Sequence, residues 1–488
     1  MRNTMQTSFD LFSIFTLISH FVLTFTLGFY LILNLQWYSY KLERVIFRHK
    51  RYMWHLLYFL VPLLAYYTTG KYFWIYFYFG LIPSLVIWYK KIDKKLVFTP
   101  RVKRFFLFLG FAVIFEDTLC LASASCHVYG VLLPLFFALG ASYLFEKMLF
   151  LGYKKEAKKK LASMSDLKIV AITASYGKTS IKNFLYQILQ SHTKAYKTPR
   201  SVNTLAGLVK DVNQDLPEDT KVYIAEAGAR VRGDIDEIAK FLEHHYGVVG
   251  SIGPQHIEYF KTLENIRNTK MEILNSPRLI KAFVHESAHV KPDERVELFG
   301  SNISDIKADL SGLSFSVTID GEVYRFEAPL LGAFNAVNIT AAILVAKELG
   351  MPMEEIQKAV AKLESVEHRL QKIEAGGKII IDDSFNGNLE GMSGSYDLVK
   401  SYNGRKIIVT PGVVESDEET NITLAKKIDE VFDTVIITGT VNAEVLATHM
   451  HRAKKVILRD KSKLEETLAE ETMPGDLILF SNDAPTFM

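Results

Sequence analysis

The sequence predicts an N-terminal all-α transmembrane bundle followed by two α/β domains, the last of them Rossmann-like. Up to about Phe150 the chain is dominated by Phe, Leu, Tyr, Ile and Trp, whereas from Lys154 onward charges are spread throughout. The polar half opens with a strand-like run, a Gly-Lys-Thr tripeptide and a helical run. Its last part, from Arg405, alternates short apolar strands with helical stretches, the pattern of a parallel sheet. A chain of 488 residues suggests about three domains at roughly 150 residues each. Their expected limits are 1–150, 160–365 and 366–488.

Crossing a hydrocarbon core takes roughly 20 mostly apolar helical residues. Leu11–Trp37, Trp54–Thr68, Tyr72–Tyr89 and Val128–Phe145 meet that length or approach it. A fifth segment, Phe105–Ala122, carries Glu116 and Asp117; it either spans with that pair near its far end or forms a re-entrant hairpin with the next segment. The first segment is too long for a signal-peptide core and lacks a small-residue cleavage site, so it is expected to be a retained anchor. Glu116 and Asp117 are expected at the outer interface and receive no role. Cys120 and Cys126, the two cysteines, both lie in the apolar half, so neither a disulfide scaffold nor a zinc cluster is expected in the polar half; a disulfide between the two stays open.

Lys and Arg near helix ends are retained on the cytoplasmic side. Lys41, Arg44, Arg48, Lys50 and Arg51 follow the first segment, and Lys90, Lys91, Lys94, Lys95, Arg101, Lys103 and Arg104 follow the third. The cluster Lys154–Lys160, read as a surface linker or a helix leaving the bilayer, follows the last. The turns near Gly70 and Ser123–His127 are nearly uncharged. The N-terminus is therefore expected outside and everything after Lys154 in the cytoplasm, giving a multi-pass protein of the cytoplasmic membrane with the lipid bilayer as a partner.

Leu167–Thr173 reads as a buried strand and Thr179–Leu189 as a helix, with Ala174-Ser175-Tyr176-Gly177-Lys178 between them. A strand, a tight turn bearing Gly-Lys-Thr and a helix can hold a nucleotide phosphate. Backbone N–H groups and the helix N-terminus face the anion, Lys adds charge, and the hydroxyl can ligate Mg²⁺. The full phosphate-loop pattern is not met, because Ile172 stands at its first glycine.

The motifs downstream follow a particular order. The loop is similar to the T-G-T-N-G-K-T loop of the Mur ligase family, with Ala174 for Gly and Ser175-Tyr176 for Thr-Asn. Then come Tyr223–Gly228, Gly253-Pro254-Gln255-His256, Asn268–Glu272, Leu331–Asn338 with Ala341-Ala342, and His368-Arg369-Leu370. The run Ile381–Asn388 resembles the D-D-S-Y-N-A-N-P motif of the family's D-alanyl-D-alanine-adding branch, with Phe385 for Tyr, Gly387 for Ala and Leu389 for Pro. The resemblance covers the chain from about Lys168 to its end and none of the apolar half.

That resemblance implies an α/β P-loop ligase domain and an ATP-dependent amide-bond ligase. A substrate carboxylate would be activated as an acyl phosphate, which an amine then attacks. Lys178, Lys270, His256 and Arg369 would be catalytic. Ser175, Gly177, Lys178, Thr179, Asn335, Asn338, Arg369 and Asp383 would hold ATP. Thr179, Glu226, His256 and Lys270 would hold Mg²⁺, with Lys270 as the lysine that family members carbamylate. Ser384, Phe385, Asn386 and Asn388 would meet substrate. The plainer alternatives are a solvated loop acid for Glu226, a surface helix lysine for Lys270, and caps or turns for the asparagines.

The substrates so implied are a UDP-linked muropeptide and D-alanyl-D-alanine, in peptidoglycan precursor synthesis; no nucleic-acid partner is expected. The family normally begins with a small domain for the uridine diphosphate. Here the bundle reaches almost to the phosphate loop, so either its cytoplasmic surface takes that part or the substrate differs. Two other readings stay open: a polyglutamate-type ligase at the membrane, and a P-loop ATPase driving the bundle.

Overall fold

The computed structural model describes residues 11–38, 40–47, 51–92, 94–122, 130–255, 257–385, 387, 389–414 and 416–482. The chain divides into two compact units, Met1–Gly152 and Tyr153–Met488.

The first unit is all helical. Leu11–Trp37 and Pro100–Ala122 are single helices, and Leu132–Ser163 begins in this unit. Between them, Tyr52–His55, Leu56–Leu60 and Val61–Thr68 follow one another without a break, the middle piece being a π turn. Gly70–Tyr72, Phe73–Tyr76, Phe77–Leu81 and Ile82–Lys91 likewise run on continuously. The segment Phe105–Ala122 is thus one unbroken helix that starts earlier, at Pro100, and not a re-entrant hairpin. The acidic pair does not interrupt it, because both carboxylates find partners inside the unit. Asp117 Oδ1 lies 2.8 Å from His20 Nδ1, and Glu116 Oε1 accepts from the Gly130 N–H at 2.7 Å. Asp117 is buried within the helical unit.

Four helical stretches are long and apolar enough to cross a membrane: Ile14–Trp37, Gly70–Lys91, Pro100–Ala122 and Leu132–Ser163. The stretch expected at Trp54–Thr68 falls short of that length. The last expected segment starts later than Val128, and its helix runs on through the Lys154–Lys160 cluster to Ser163. Large apolar side chains face outward, among them Phe79, Leu107, Phe136 and Met148. Cys120 is disulfide-bonded, and Cys126 lies outside the described residues.

The second unit holds two sheets of six strands. In the first, β1 (Lys168–Thr173), β2 (Ala195–Lys197), β3 (Val222–Glu226), β4 (Tyr246–Val249), β5 (Lys281–His285) and β6 (Val296–Phe299) are all parallel, in the order β2-β3-β1-β4-β5-β6. Its strands read as near-continuous apolar runs, as a sheet covered on both faces requires. The helices Lys178–Leu189 and Asn335–Glu348 pack together, and Ile181, Phe184, Leu185, Ile339 and Ile343 join the strands in one core.

A small antiparallel sheet follows, β7 (Ile303–Asp309), β8 (Gly312–Ile319) and β9 (Glu322–Ala328). Its β8–β9 turn is Asp320-Gly321, both with positive φ, 53° and 85°. That is the tight hairpin turn whose twist matches the flanking strands.

The last sheet has the order β10-β11-β15-β12-β13-β14. It comprises β10 (Gln371–Ala375), β11 (Lys378–Asp383), β12 (Lys406–Thr410), β13 (Thr434–Thr438), β14 (Lys454–Leu458) and β15 (Leu477–Ser481). All pairs are parallel except β10–β11, a hairpin turned at Gly376-Gly377. Helices between successive strands bury Met392, Tyr396, Leu424 and Ile428 against it.

Candidate active site

In open α/β sheets ligands bind beyond the carboxyl ends of the strands, and the central strands β3, β1 and β4 bring their carboxyl ends together here. β1 leads into Ala174–Gly177, β3 ends on Glu226, and β4 leads to Gly253. The Ser175 N–H donates to the Ser251 carbonyl at 2.9 Å, and Ser175 Oγ donates to the Gly253 carbonyl at 2.9 Å, fastening the loop to the segment after β4. Gly177 adopts φ +83°, and a Cβ there would come within 2.1 Å of Asn338 Oδ1. Only glycine fits both demands.

Lys178 folds back over the loop, its Nζ donating to the carbonyls of Ala174 at 2.7 Å and Ser175 at 3.1 Å. Thr179 donates its hydroxyl to Glu226 Oε2 at 3.0 Å. Glu226 is buried, not a solvated loop acid, and Asn203 Nδ2 donates to its other oxygen at 3.1 Å. Lys182, one helical turn beyond Lys178, places Nζ 3.3 Å from Glu226 Oε2.

Lys270 is 4% exposed near the end of the helix Leu263–Met271, which hands over to a tighter turn, Glu272–Asn275. Among the described residues its Nζ has no hydrogen-bond partner. Burial and then the charge of Lys178 push its amine down from 10.5 to about 7. Burial likewise lowers Lys178 to about 8, with Glu226 opposing the shift and Arg369 adding to it. Arg369 is lowered by burial against the pull of Asp383 and Glu226. Lys178, Lys182, Lys270 and Arg369 are thus four desolvated cations near buried Glu226, with buried Asp383 also acting on Arg369, an arrangement that a polyanion would relieve.

Arg369 sits in an unusual turn. His368 and Leu370 on either side both have positive φ, 62° and 49°. The loop after β11 holds them: Asp382 Oδ2 lies 2.7 Å from His368 Nδ1, and Asp383 Oδ1 accepts from the Leu370 N–H at 3.3 Å. The Phe385 N–H donates to the His368 carbonyl. Asp383 also accepts from Ser395 Oγ at 2.6 Å. Ser384 turns its hydroxyl back onto Asp382, and Phe385 lies half exposed beside the His368 ring.

Asn335 donates to the Leu331 carbonyl at 2.8 Å and accepts from Asn338 Nδ2 at 3.0 Å, so both also fix the turn entering their helix. Asn335 and Arg369 line a cleft with Phe184, Leu330, Leu331 and Leu370. His256, Asn386 and Asn388 lie outside the described residues. Sequence reasoning missed Lys182, Asn203, His368 and Asp382; the four-residue step from Lys178 to Lys182 was the available signal for the first.

A Thr hydroxyl and a carboxylate oxygen 3.0 Å apart fit Mg²⁺, which binds few protein oxygens and takes the rest from water and phosphates. Among the described residues no three His, Cys, Asp or Glu side chains gather as a fuller metal cage.

Residues 172–346, which carry this loop and most of its partners, match the Mur ligase middle domain. Over that stretch the chain resembles the Mur ligase family. The chain is similar to the UDP-N-acetylmuramoyl-tripeptide--D-alanyl-D-alanine ligase of Bacillus subtilis (strain 168), 27% identical over 337 residues. That match covers 64% of this chain and 72% of the relative. The enzyme of the same name from Borreliella burgdorferi is 26% identical over 298 residues, covering 57% of this chain and 64% of the relative, less than two thirds of it. The MurF ligase from Thermotoga maritima in complex with ADP superposes with a TM-score of 0.60 at 24% identity, over 68% of this chain and 80% of that one. MurF from Acinetobacter baumannii gives 0.62 at 21%, over 68% and 78%. These solved Mur ligases share the fold of the second unit.

Proposed function

We propose that this protein is an ATP-dependent amide-bond ligase of the cytoplasmic membrane that joins D-alanyl-D-alanine to a UDP-N-acetylmuramoyl-tripeptide. The carrying observation is the convergence of Thr179, Glu226, Lys178, Lys270 and Arg369 at one sheet edge. The names of the relatives and the Asp382–Phe385 loop bring the substrates to it.

ATP supplies the phosphoryl group that activates the tripeptide carboxylate. Lys178 and Arg369 absorb charge developing on the transferred phosphoryl group, which is most of what such catalysis asks of a protein. Thr179 and Glu226 would hold Mg²⁺, which would neutralise phosphate charge, and the resemblance adds His256 and Lys270 to that set. Burial leaves about half of the Lys270 amine neutral near pH 7, the form that can add carbon dioxide to become a carbamate. Apolar Phe184, Leu330 and Leu331, with Asn335, suit the adenine. Asp383, Ser384 and Phe385 serve the nucleotide and acceptor from the last domain, spanning 366–488, beside the central one, spanning 160–365, and the resemblance adds Asn386 and Asn388 to them.

Outward-facing Phe79, Leu107, Phe136 and Met148 and four sufficiently long apolar helices support membrane insertion of residues 1–150. The basic clusters put the ligase in the cytoplasm. The disulfide at Cys120 suits the outer end of its helix, since disulfides persist in oxidising compartments. Helix Leu132–Ser163 ends just before β1, with only Met164–Leu167 between, so no uridine-nucleotide domain intervenes.

The test is to incubate the detergent-solubilised protein with ATP, Mg²⁺, a UDP-N-acetylmuramoyl-tripeptide and D-alanyl-D-alanine, and to follow phosphate and product mass. Joined product with one phosphate per bond supports the reading. Brisk phosphate release without the acceptor would instead favour a P-loop motor.

A further inference from the structure

Lys182 is an internal lysine with no role in the chemistry above. It is 1% exposed, and its Nζ is held between Glu226 Oε2 and the Arg200 carbonyl. Burying an ammonium group is costly unless it is paired and hydrogen-bonded. A purely structural position in a helix packed on a sheet would take an apolar residue, as Ile181, Phe184 and Leu185 do on either side. Among the described residues Lys182 makes its ion pair with Glu226, the buried carboxylate at the phosphate loop.

Both carboxylate oxygens are engaged as a result. Oε2 receives the Thr179 hydroxyl and Lys182, and Oε1 receives Asn203. We propose that Lys182 is a positioning residue that orients Glu226 and neutralises it until nucleotide arrives, so that the protein takes up its divalent cation together with nucleotide phosphates and not before them. This rests on the reading of Glu226 as a Mg²⁺ ligand. A fixed ammonium beside a carboxylate lowers its attraction for a free dication. Phosphates bring enough negative charge to overcome that, and Lys178 and Arg369 are already placed to receive them.

The experiment measures Mn²⁺ binding to the full-length, nucleotide-free protein in detergent by electron paramagnetic resonance, for wild type, Lys182→Met, Glu226→Gln and the double variant. Lys182→Met should bind Mn²⁺ at least about tenfold more tightly than wild type, given the size of a unit charge at this range. A packing defect alone would not tighten binding. In the Glu226→Gln background the Lys182 substitution should change nothing. If Lys182→Met fails to fold, Lys182→Gln, which keeps a donor for the Arg200 carbonyl, should tighten Mn²⁺ binding in the same sense. Unchanged affinity in the folded variant, or equal tightening with and without Glu226, overturns the proposal. Failure of the underlying reading has a different signature: Glu226→Gln would leave binding of Mn²⁺ with ATP unaffected.

Discussion

The Thr179 hydroxyl donates to Glu226 Oε2 across 3.0 Å, joining the first turn of the phosphate-loop helix to the end of β3. The two residues lie 47 positions apart in sequence, and the parallel pairing of β1 with β3 brings them together. Thr179→Ala should therefore lower kcat by roughly 100-fold, the scale of losing one preorganised electrostatic contact. Thermal stability should hardly change. Steady-state kinetics over a Mg²⁺ series would check it, and a variant with wild-type kcat and Mg²⁺ dependence would remove Thr179 from the metal.

Gly177→Ala should abolish nucleotide binding. The new methyl would meet Asn338 Oδ1 at 2.1 Å in a left-handed conformation of φ +83°, a strain of about 1 kcal/mol or more before the clash is counted. Asn338→Ala in the same chain removes the clash and should restore part of the ATP affinity, read by calorimetry. No recovery would mean that the backbone conformation alone decides the position.

Lys270 sets a pH dependence. Its amine is held at about 7, against 10.5 when free. Between those values the unfolded chain binds the proton and the folded one does not, so this residue makes stability rise with pH across that window; below about pH 7 the cost of the buried charge is fully present. Compared with Lys270→Met, the wild type should gain melting temperature from pH 7 to 10. Ligase activity should fall as pH drops through 7, when the amine becomes protonated and can no longer form a carbamate. Short carboxylates added to Lys270→Ala should restore some activity. A flat pH difference between the two proteins would contradict the buried, neutral amine.

Much of this was legible in the sequence because the signals were local. The strands Lys406–Thr410 and Thr434–Thr438 are found where their apolar runs stand, and the helix after the phosphate loop starts within a residue of its expected place. The hairpin turns at Asp320-Gly321 and Gly376-Gly377 were equally local signals and passed unread, so the sheet β7–β9 was missed. Other relationships were not legible, because they depend on pairing between distant segments. The pairing of Asp117 with His20 needs two helices side by side. The contact of His368 with Asp382 needs the chain to reverse through β10 and β11.

The proposed membrane topology can also be tested. A reporter fused at the C-terminus should be cytoplasmic, and one inserted near Gly70 external. The opposite pattern would put the phosphate loop away from ATP and would contradict the placement of the ligase.

The most direct test of the central claim is the fate of carboxylate oxygen. If the acceptor carboxylate attacks the γ-phosphorus of ATP and the amine then displaces phosphate, the oxygen bridging carbon and phosphorus leaves with the phosphate. With both oxygens of the tripeptide's terminal carboxylate labelled with ¹⁸O, the full-length protein should release phosphate carrying one ¹⁸O for each D-alanyl-D-alanine joined, as read by mass spectrometry. Unlabelled phosphate, with oxygen drawn from water, would mean that the nucleotide is merely hydrolysed and that the acyl phosphate does not form.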